Sequence, residues 1–97
     1  MGLFVKLTTT KIVTSNGNVF RLPKAFIRYL SKVVSDKQAL ELSRKLLDYI
    51  SNKDVSRMTE LIGKFTDRIF EENFIDDLNR NTDANGEVNW EGFFNKE

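Results

Sequence analysis

Residues 35–50, SDKQALELSRKLLDYI, form the most self-consistent helical pattern in the chain. Ser35 and Gln38 have the spacing of a capping box, in which each side chain bonds the backbone N–H of the other residue, and Asp36 suits the positive end of the helix dipole. The charged residues share one arc of the helix, and the apolar residues share the opposite arc: Ala39, Leu40, Leu42, Leu46, Leu47, Tyr49 and Ile50. The pattern predicts an amphipathic helix that starts after Ser35 and has an apolar face wide enough to pack against two neighbouring elements.

The stretch after this helix predicts a break, a long third helix and a short fourth one. Residues 51–54, SNKD, favour a turn and an N-cap. A stripe at helical spacing follows, with Gly63 on its polar side: Val55, Met58, Leu61, Ile62, Phe65 and Ile69. The helical phase of the apolar residues is lost at Phe70, which predicts a break at residues 71–73 and a new cap formed by Asn73 and Asp76.

The stretch before residue 35 predicts a β-hairpin and a first helix. Asn16-Gly17 favours a two-residue type I′ turn between strands at residues 11–15 and 18–22, a register that sets Val13 opposite Phe20 and Ile12 opposite Arg21. Residues 3–8, LFVKLT, alternate in the manner of a further strand. Pro23 suits the first turn of a helix that the spacing of apolar residues extends to residue 34.

Together these patterns predict an α+β fold, with an N-terminal hairpin of two or three strands packed on three or four helices. The length of 97 residues fits a single domain over 1–97. Its expected parts are the hairpin region (1–22), the helical bundle (23–80) and a C-terminal turn and segment (81–97).

Composition excludes several kinds of chemistry. The chain has no cysteine and no histidine, so disulfides, thiolate nucleophiles and the usual neutral-pH proton carrier are ruled out. No nucleophile–base pair or phosphate-binding glycine loop is present, which predicts a protein that is not an enzyme and has no catalytic residues. No apolar run is long enough to span a membrane, and residues 1–11 lack a signal-peptide core. We therefore expect a soluble cytoplasmic protein without membrane contact.

Charge is divided along the chain. Residues 1–35 contain six basic residues and no acid, whereas residues 71–97 contain eight acids and two bases. One interpretation is attraction between the two ends, within the fold or between the subunits of a homodimer. The other is a pair of binding surfaces of opposite sign.

The C-terminal acids lie near aromatic residues in sequence. Apolar anchors ringed by charge are typical of protein-binding patches, although the same rings can close a core. We predict a protein-binding surface here, as in the small regulators and inhibitors that phages and mobile elements encode, formed by Asp76, Asp77, Glu87, Trp90, Glu91, Phe93 and Phe94.

The basic N-terminal part supports a different hypothesis. A row of cations four residues apart suits either phosphate binding or a solvated helix face: Lys24, Arg28 and Lys32, with Lys11 and Arg21 on the hairpin. Residues 15–30, SNGNVFRLPKAFIRYL, resemble the hairpin-then-helix element of the AbrB and MazE-like swapped-hairpin antitoxins. That resemblance implies a dimeric DNA-binding regulator that uses these five basic residues.

Residues 81–93, NTDANGEVNWEGF, resemble an EF-hand calcium loop. Oxygen ligands are expected at loop positions 1, 3 and 5, a glycine at 6 and a bidentate glutamate at 12. Position 12 is Gly92, and Glu91 lies one residue earlier. We expect an EF-like shape without a cofactor, and the alternative is weak calcium binding through Asn81, Asp83, Asn85, Asn89 and Glu91.

Overall fold

The computed structural model describes residues 9–95, which form an N-terminal two-stranded hairpin followed by helices. The hairpin strands are β1 (Thr9–Val13) and β2 (Val19–Pro23). The helices are α1 (Lys24–Leu30), α2 (Asp36–Ile50), α3 (Val55–Ile69), α4 (Phe74–Arg80) and α5 (Trp90–Phe94). The predicted α+β class is confirmed. The strand predicted at residues 3–8 lies outside the described residues.

The hairpin register differs from the predicted one by one residue. Ile12 pairs with Phe20 and Lys11 with Arg21. The loop is a three-residue connection, closed by the Thr14 N–H bonding the Asn18 carbonyl (2.9 Å) and the Gly17 N–H bonding the Thr14 carbonyl (3.0 Å). Gly17 has φ +87°, and no other residue type among residues 9–95 has a positive φ, so Asn16 cannot form a type I′ turn. The loop is a type I turn followed by a glycine bulge.

The Thr14 side chain accounts for this longer loop. Its hydroxyl accepts the Asn18 N–H at 3.1 Å and also contacts the Asn16 side chain. The register turns Ile12 and Leu22 to the buried face, where the hairpin packs on α1 and α2. Lys11 and Arg21 lie on the exposed face.

Helix α2 begins as predicted, and α1 ends earlier than predicted. The Ser35–Gln38 capping box is present, with the Gln38 N–H bonding the Ser35 hydroxyl at 3.2 Å. Ser35 is extended (φ −67°, ψ 161°), because an N-cap residue adopts a non-helical backbone. Helix α1 ends at Leu30, because the N–H groups of Lys32 and Val33 bond carbonyls three residues back (3.2 and 3.1 Å) instead of four. Residues 31–34 therefore form turns instead of the predicted helix end.

Helices α3 and α4 follow the predicted boundaries. Asp54 caps α3 by accepting the Arg57 N–H at 2.8 Å. The loss of phase after Ile69 corresponds to the break between α3 and α4. Asn73 occupies the N-cap position of α4, but its side chain makes no capping hydrogen bond. Helix α5 was not predicted, because five residues that include a glycine are too few to show a period.

The chain divides into two compact units, with the boundary between Ser51 and Asn52. The buried apolar residues of the first unit are Ile12, Leu22, Phe26, Leu30, Ala39, Leu46, Leu47 and Ile50. Those of the second unit are Leu61, Phe65, Ile69, Phe74, Leu78, Trp90, Phe93 and Phe94. The expectation of a single domain over 1–97 stays a prediction. Among the helices described, none has the length and apolar composition needed to cross a membrane.

Candidate functional site

The predicted aromatic anchors lie in the core of the second unit. Trp90, Phe93 and Phe94 are at most 7% exposed. Phe93 lies 5.3 Å from the Phe94 ring centroid and 6.0 Å from that of Phe65, within a cluster of edge-on and tilted aromatic pairs. These three rings are therefore unavailable to a partner while the second unit is folded.

The predicted acidic residues divide into buried and exposed ones. Asp77 is buried, and its Oδ1 lies 3.5 Å from Nη1 of Arg80. Asp76, Glu87 and Glu91 are exposed. Only these three members of the predicted protein-binding set can meet a partner directly.

An exposed aromatic residue lies elsewhere in the second unit. Phe70 is 64% exposed and begins the turn between α3 and α4. We call residues 70–73 the Phe70 turn, and all of them are exposed. The loss of helical phase at Phe70 was the sequence signal for this exposure, because a residue directly after the buried Ile69 points away from the apolar stripe.

Acidic residues surround Phe70 in the sequence. Glu71 and Glu72 belong to the Phe70 turn, and Asp67 and Asp76 flank it on α3 and α4; all four side chains are exposed. No ion pair involving these four carboxylates occurs among residues 9–95. The turn is fixed by backbone hydrogen bonds, from the Glu71 N–H to the Arg68 carbonyl (3.0 Å) and from the Phe74 N–H to the Glu71 carbonyl (3.2 Å).

The one basic side chain between Asp67 and Asp76 is turned toward the core. The Arg68 guanidinium lies 4.8 Å from the Phe93 ring centroid, a cation–π contact. Its Nη1 is buried and has no hydrogen-bond partner within the described part of the chain. Arg68 therefore does not pair with the exposed carboxylates of the Phe70 turn.

The one acid earlier in α3 behaves differently. Glu60 pairs with Arg57 at 2.9 Å and with Lys64 at 3.5 Å. The hydrogen bond from Arg57, aided by its positive charge, lowers the pKa of the Glu60 carboxyl. Because the Glu60 charge is balanced by neighbouring cations and, within residues 9–95, the charges of the carboxylates around Phe70 are not, the end of α3 at Phe70 is the more negative one.

The predicted basic residues all lie in the first unit and are exposed. The observed register places Lys11 directly opposite Arg21, whereas the predicted register had separated them. Lys24 and Arg28 lie four residues apart on α1. Lys32 follows the end of α1, so it leaves the predicted helical row, and its Nζ lies 5.6 Å from the Tyr29 ring centroid. Within residues 9–95 none of these five cations forms an ion pair.

The EF-like loop lies between α4 and α5 and is closed by internal hydrogen bonds. Oδ1 of Asp83 accepts the N–H groups of Asn85 (2.9 Å) and Glu87 (3.0 Å). Gly86 has φ +82°, and the Gly86 N–H bonds the Asp83 carbonyl at 3.0 Å. The loop therefore repeats the turn of residues 14–18, with an Asn-Gly pair and a capping side chain in both.

The predicted calcium ligands are partly engaged with the protein. Asn81 donates its side-chain N–H to the Asp77 carbonyl (2.8 Å), and the Asn89 side chain accepts the Gly92 N–H (3.2 Å). Asn85 and Glu91 are exposed. The structure brings no three acidic, histidine or cysteine side chains of residues 9–95 into a group that could hold a metal. Calcium binding stays a prediction.

Comparison with known proteins finds no matching family model, no matching curated protein and no matching solved structure.

Proposed function

We propose that the protein is a non-enzymatic regulator or inhibitor that binds a partner protein in the cytoplasm through the Phe70 turn. Accessory proteins of this kind, such as those of phages and mobile elements, act by occupying a surface of a host protein. The observation that carries the proposal is the exposed Phe70 ring beside the exposed carboxylates of Glu71 and Glu72.

The chemistry of the turn indicates what the partner presents. Burying a phenylalanine side chain fully contributes about 1.5–3 kcal/mol, so Phe70 suits an apolar pocket. Unpaired carboxylates around it favour encounter with a basic surface and disfavour acidic ones. We therefore expect a partner with an apolar pocket bordered by lysine or arginine.

Substitution of Phe70 by alanine is expected to weaken partner binding about tenfold or more, because an anchor residue is lost. The partner is recovered by affinity capture from a lysate of the source cells, and its Kd is then measured by titration. Val55→Ala is the matched control, since Val55 is 77% exposed and lies at the other end of α3. A double change of Glu71 and Glu72 to lysine is expected to weaken binding as strongly as Phe70→Ala. Equal losses for Phe70→Ala and Val55→Ala would contradict the proposal.

Nucleic-acid binding by the first unit is the second candidate function. It is favoured by the observed pairing of Lys11 with Arg21 on the exposed face of the hairpin. Two adjacent cations that form no ion pair within residues 9–95 suit the phosphates of a nucleic-acid backbone. Lys24 and Arg28 add charge on the neighbouring helix. The antitoxin-like resemblance of residues 15–30 is consistent with this use.

A salt titration tests the nucleic-acid proposal. If the first unit binds a DNA duplex, the logarithm of the binding constant falls linearly with the logarithm of salt concentration, with a slope of roughly −0.9 per phosphate contacted. Lys11→Ala and Arg21→Ala should each reduce that slope by about one. Lys37→Ala is the control, since Lys37 is an exposed cation outside the predicted set. A slope that is the same in all three variants would exclude the hairpin as the binding face.

A further inference from the structure

A groove of about 350 Å³ runs along β1 in the first unit. One wall consists of five consecutive hairpin residues, 11–15, and the other of Leu40 and Arg44 on α2. Ser15 joins the two walls at one end, because its N–H and its hydroxyl each donate to the Asp48 carboxylate at 2.8 Å. The groove therefore has a strand on one side, a helix on the other and one end fixed by hydrogen bonds.

Within residues 9–95, the strand edge that faces this groove has no strand partner. The Thr14 N–H points to β2, since it bonds the Asn18 carbonyl. Alternate residues of a strand direct their backbone groups to the same side, so Ile12 also faces β2 and the groups of Lys11 and Val13 face away from it. Among residues 9–95 the sheet has two strands, and β1 pairs only with β2. An edge of this kind is a template for a further strand.

The side chains of the groove combine apolar and cationic surface. Leu40 is 42% exposed and Val13 is 46% exposed. Lys11 and Arg44 are the charged residues of the lining, which contains no acid. Arg44 lies 3.4 Å from Glu41, but both side chains are about half exposed, and ion pairs of that kind contribute at most about 1 kcal/mol. Arg44 can therefore exchange Glu41 for the carboxylate of a ligand.

We propose that this groove binds an extended peptide segment of a partner protein, which adds to β1 as an antiparallel or parallel strand and carries alternating apolar and acidic side chains. Strand β1 has five residues, which at about 3.4 Å per residue span about 17 Å and match about five residues of an extended peptide. Strand addition supplies main-chain hydrogen bonds, and alternate side-chain contacts supply specificity. Alternate side chains of the added strand point to opposite faces, so the acidic ones point toward Arg44 on α2 and the apolar ones lie on the face that carries Val13. This proposal is independent of the Phe70 turn, which belongs to the second unit.

The probe for this proposal is a capped hexapeptide of alternating glutamate and valine, titrated into ¹⁵N-labelled full-length protein. At saturation, hydrogen exchange of the Lys11 and Val13 amides is expected to slow about tenfold or more, because both gain a strand partner. The Ile12 amide, which already faces β2, is the internal reference. Arg44→Glu should weaken peptide binding about tenfold or more. Lys37→Glu, an equal charge change at an exposed position of the same helix, should leave the affinity within about twofold.

Several results would overturn the proposal. These are saturable binding without slower exchange at Lys11 and Val13, equal affinity for a lysine–valine peptide, or no binding at millimolar peptide. Slow exchange of these amides in the peptide-free protein would also overturn it. If that protection rises with protein concentration, a second copy of the chain occupies the edge, and if it does not, the chain covers its own edge. None of these outcomes bears on the affinity measured for Phe70→Ala.

Discussion

Replacing Phe93 by alanine is expected to lower the free energy of unfolding by about 3–5 kcal/mol. The Phe93 side chain is fully buried, and its ring contacts Phe65, Phe74, Trp90 and Phe94 at centroid distances of 5.3–6.1 Å. The change leaves a cavity in the middle of the aromatic cluster and removes the ring over which Arg68 lies. Since whole domains are stable by only about 5–15 kcal/mol, this loss is a large share of the total.

The control for Phe93→Ala is the same change at Phe70, where the ring is mainly in solvent. Phe70→Ala is expected to alter the free energy of unfolding by no more than about 0.5 kcal/mol. Urea unfolding followed by the fluorescence of Trp90, the single tryptophan of the chain, reports on the second unit directly. If Phe93→Ala were as stable as Phe70→Ala, the buried position of Phe93 would be contradicted. If the alanine variant does not fold, Phe93→Leu is measured instead. Leucine fills most of the cavity, so this variant should keep most of the stability that alanine loses.

Replacing Gly92 by alanine is expected to destabilise the protein by about 1–3 kcal/mol. A Cβ atom at Gly92 would lie 2.6 Å from Oδ1 of Asn81 and 2.9 Å from Nδ2 of Asn89. Neither side chain can move without loss, because Asn81 bonds the Asp77 carbonyl and Asn89 caps α5. The glutamate that would complete an EF-hand pattern at position 92 carries the same Cβ. A Gly92→Glu variant is therefore expected to distort the loop even as it adds a ligand.

Gly63 provides the matched control for Gly92→Ala. It lies inside α3, and a Cβ atom there would have no neighbour within 4 Å. Gly63→Ala is expected to stabilise the protein by about 0.5–1 kcal/mol, since alanine has the higher helix propensity. Urea unfolding measures both variants. Opposite signs for the two glycines support the close approach at Gly92, whereas stabilisation by both would contradict it.

The helices were predictable where their ends carry specific chemistry. Ser35 and Gln38 marked the start of α2, and Asp54 marked the start of α3, because side-chain capping depends on residue type at a fixed spacing. Helix α5 has its own cap in Asn89, but it is held mainly by burial of its rings, which depends on residues far away in the sequence. Local patterns could not indicate that dependence.

The hairpin register was the main error in the sequence-based fold. Asn16-Gly17 fits both a two-residue type I′ turn and a three-residue turn with a glycine bulge. Both registers place an apolar residue of β1 opposite Phe20, so hydrophobic pattern did not separate them. The deciding contact is the Thr14 hydroxyl with the Asn18 N–H. The register matters for the proposed nucleic-acid binding, since it places Lys11 directly opposite Arg21.

The candidate surface was predictable in its charge but not in its aromatic anchor. The acids of the second unit are apparent from composition alone, and the predicted Asp76, Glu87 and Glu91 are exposed, but only Asp76 flanks the Phe70 turn. Trp90, Phe93 and Phe94 have the composition of either a patch or a core, and tertiary packing buries them. Phe70 lies outside the apolar stripe of α3. Its position relative to that stripe was a better indicator of an exposed ring than the sequence proximity of aromatic and acidic residues.

The most direct test of the Phe70 turn as a binding surface is photo-crosslinking from defined positions. A benzoyl-phenylalanine is placed at position 70 in one protein and at Val55, an even more exposed apolar position, in another. After irradiation in a lysate of the source cells, the position-70 probe is expected to yield one discrete cross-linked protein. That product should disappear when Glu71 and Glu72 are changed to lysine, and it should be absent with the position-55 probe. The same product from both positions, or none from position 70, would contradict protein binding through the Phe70 turn.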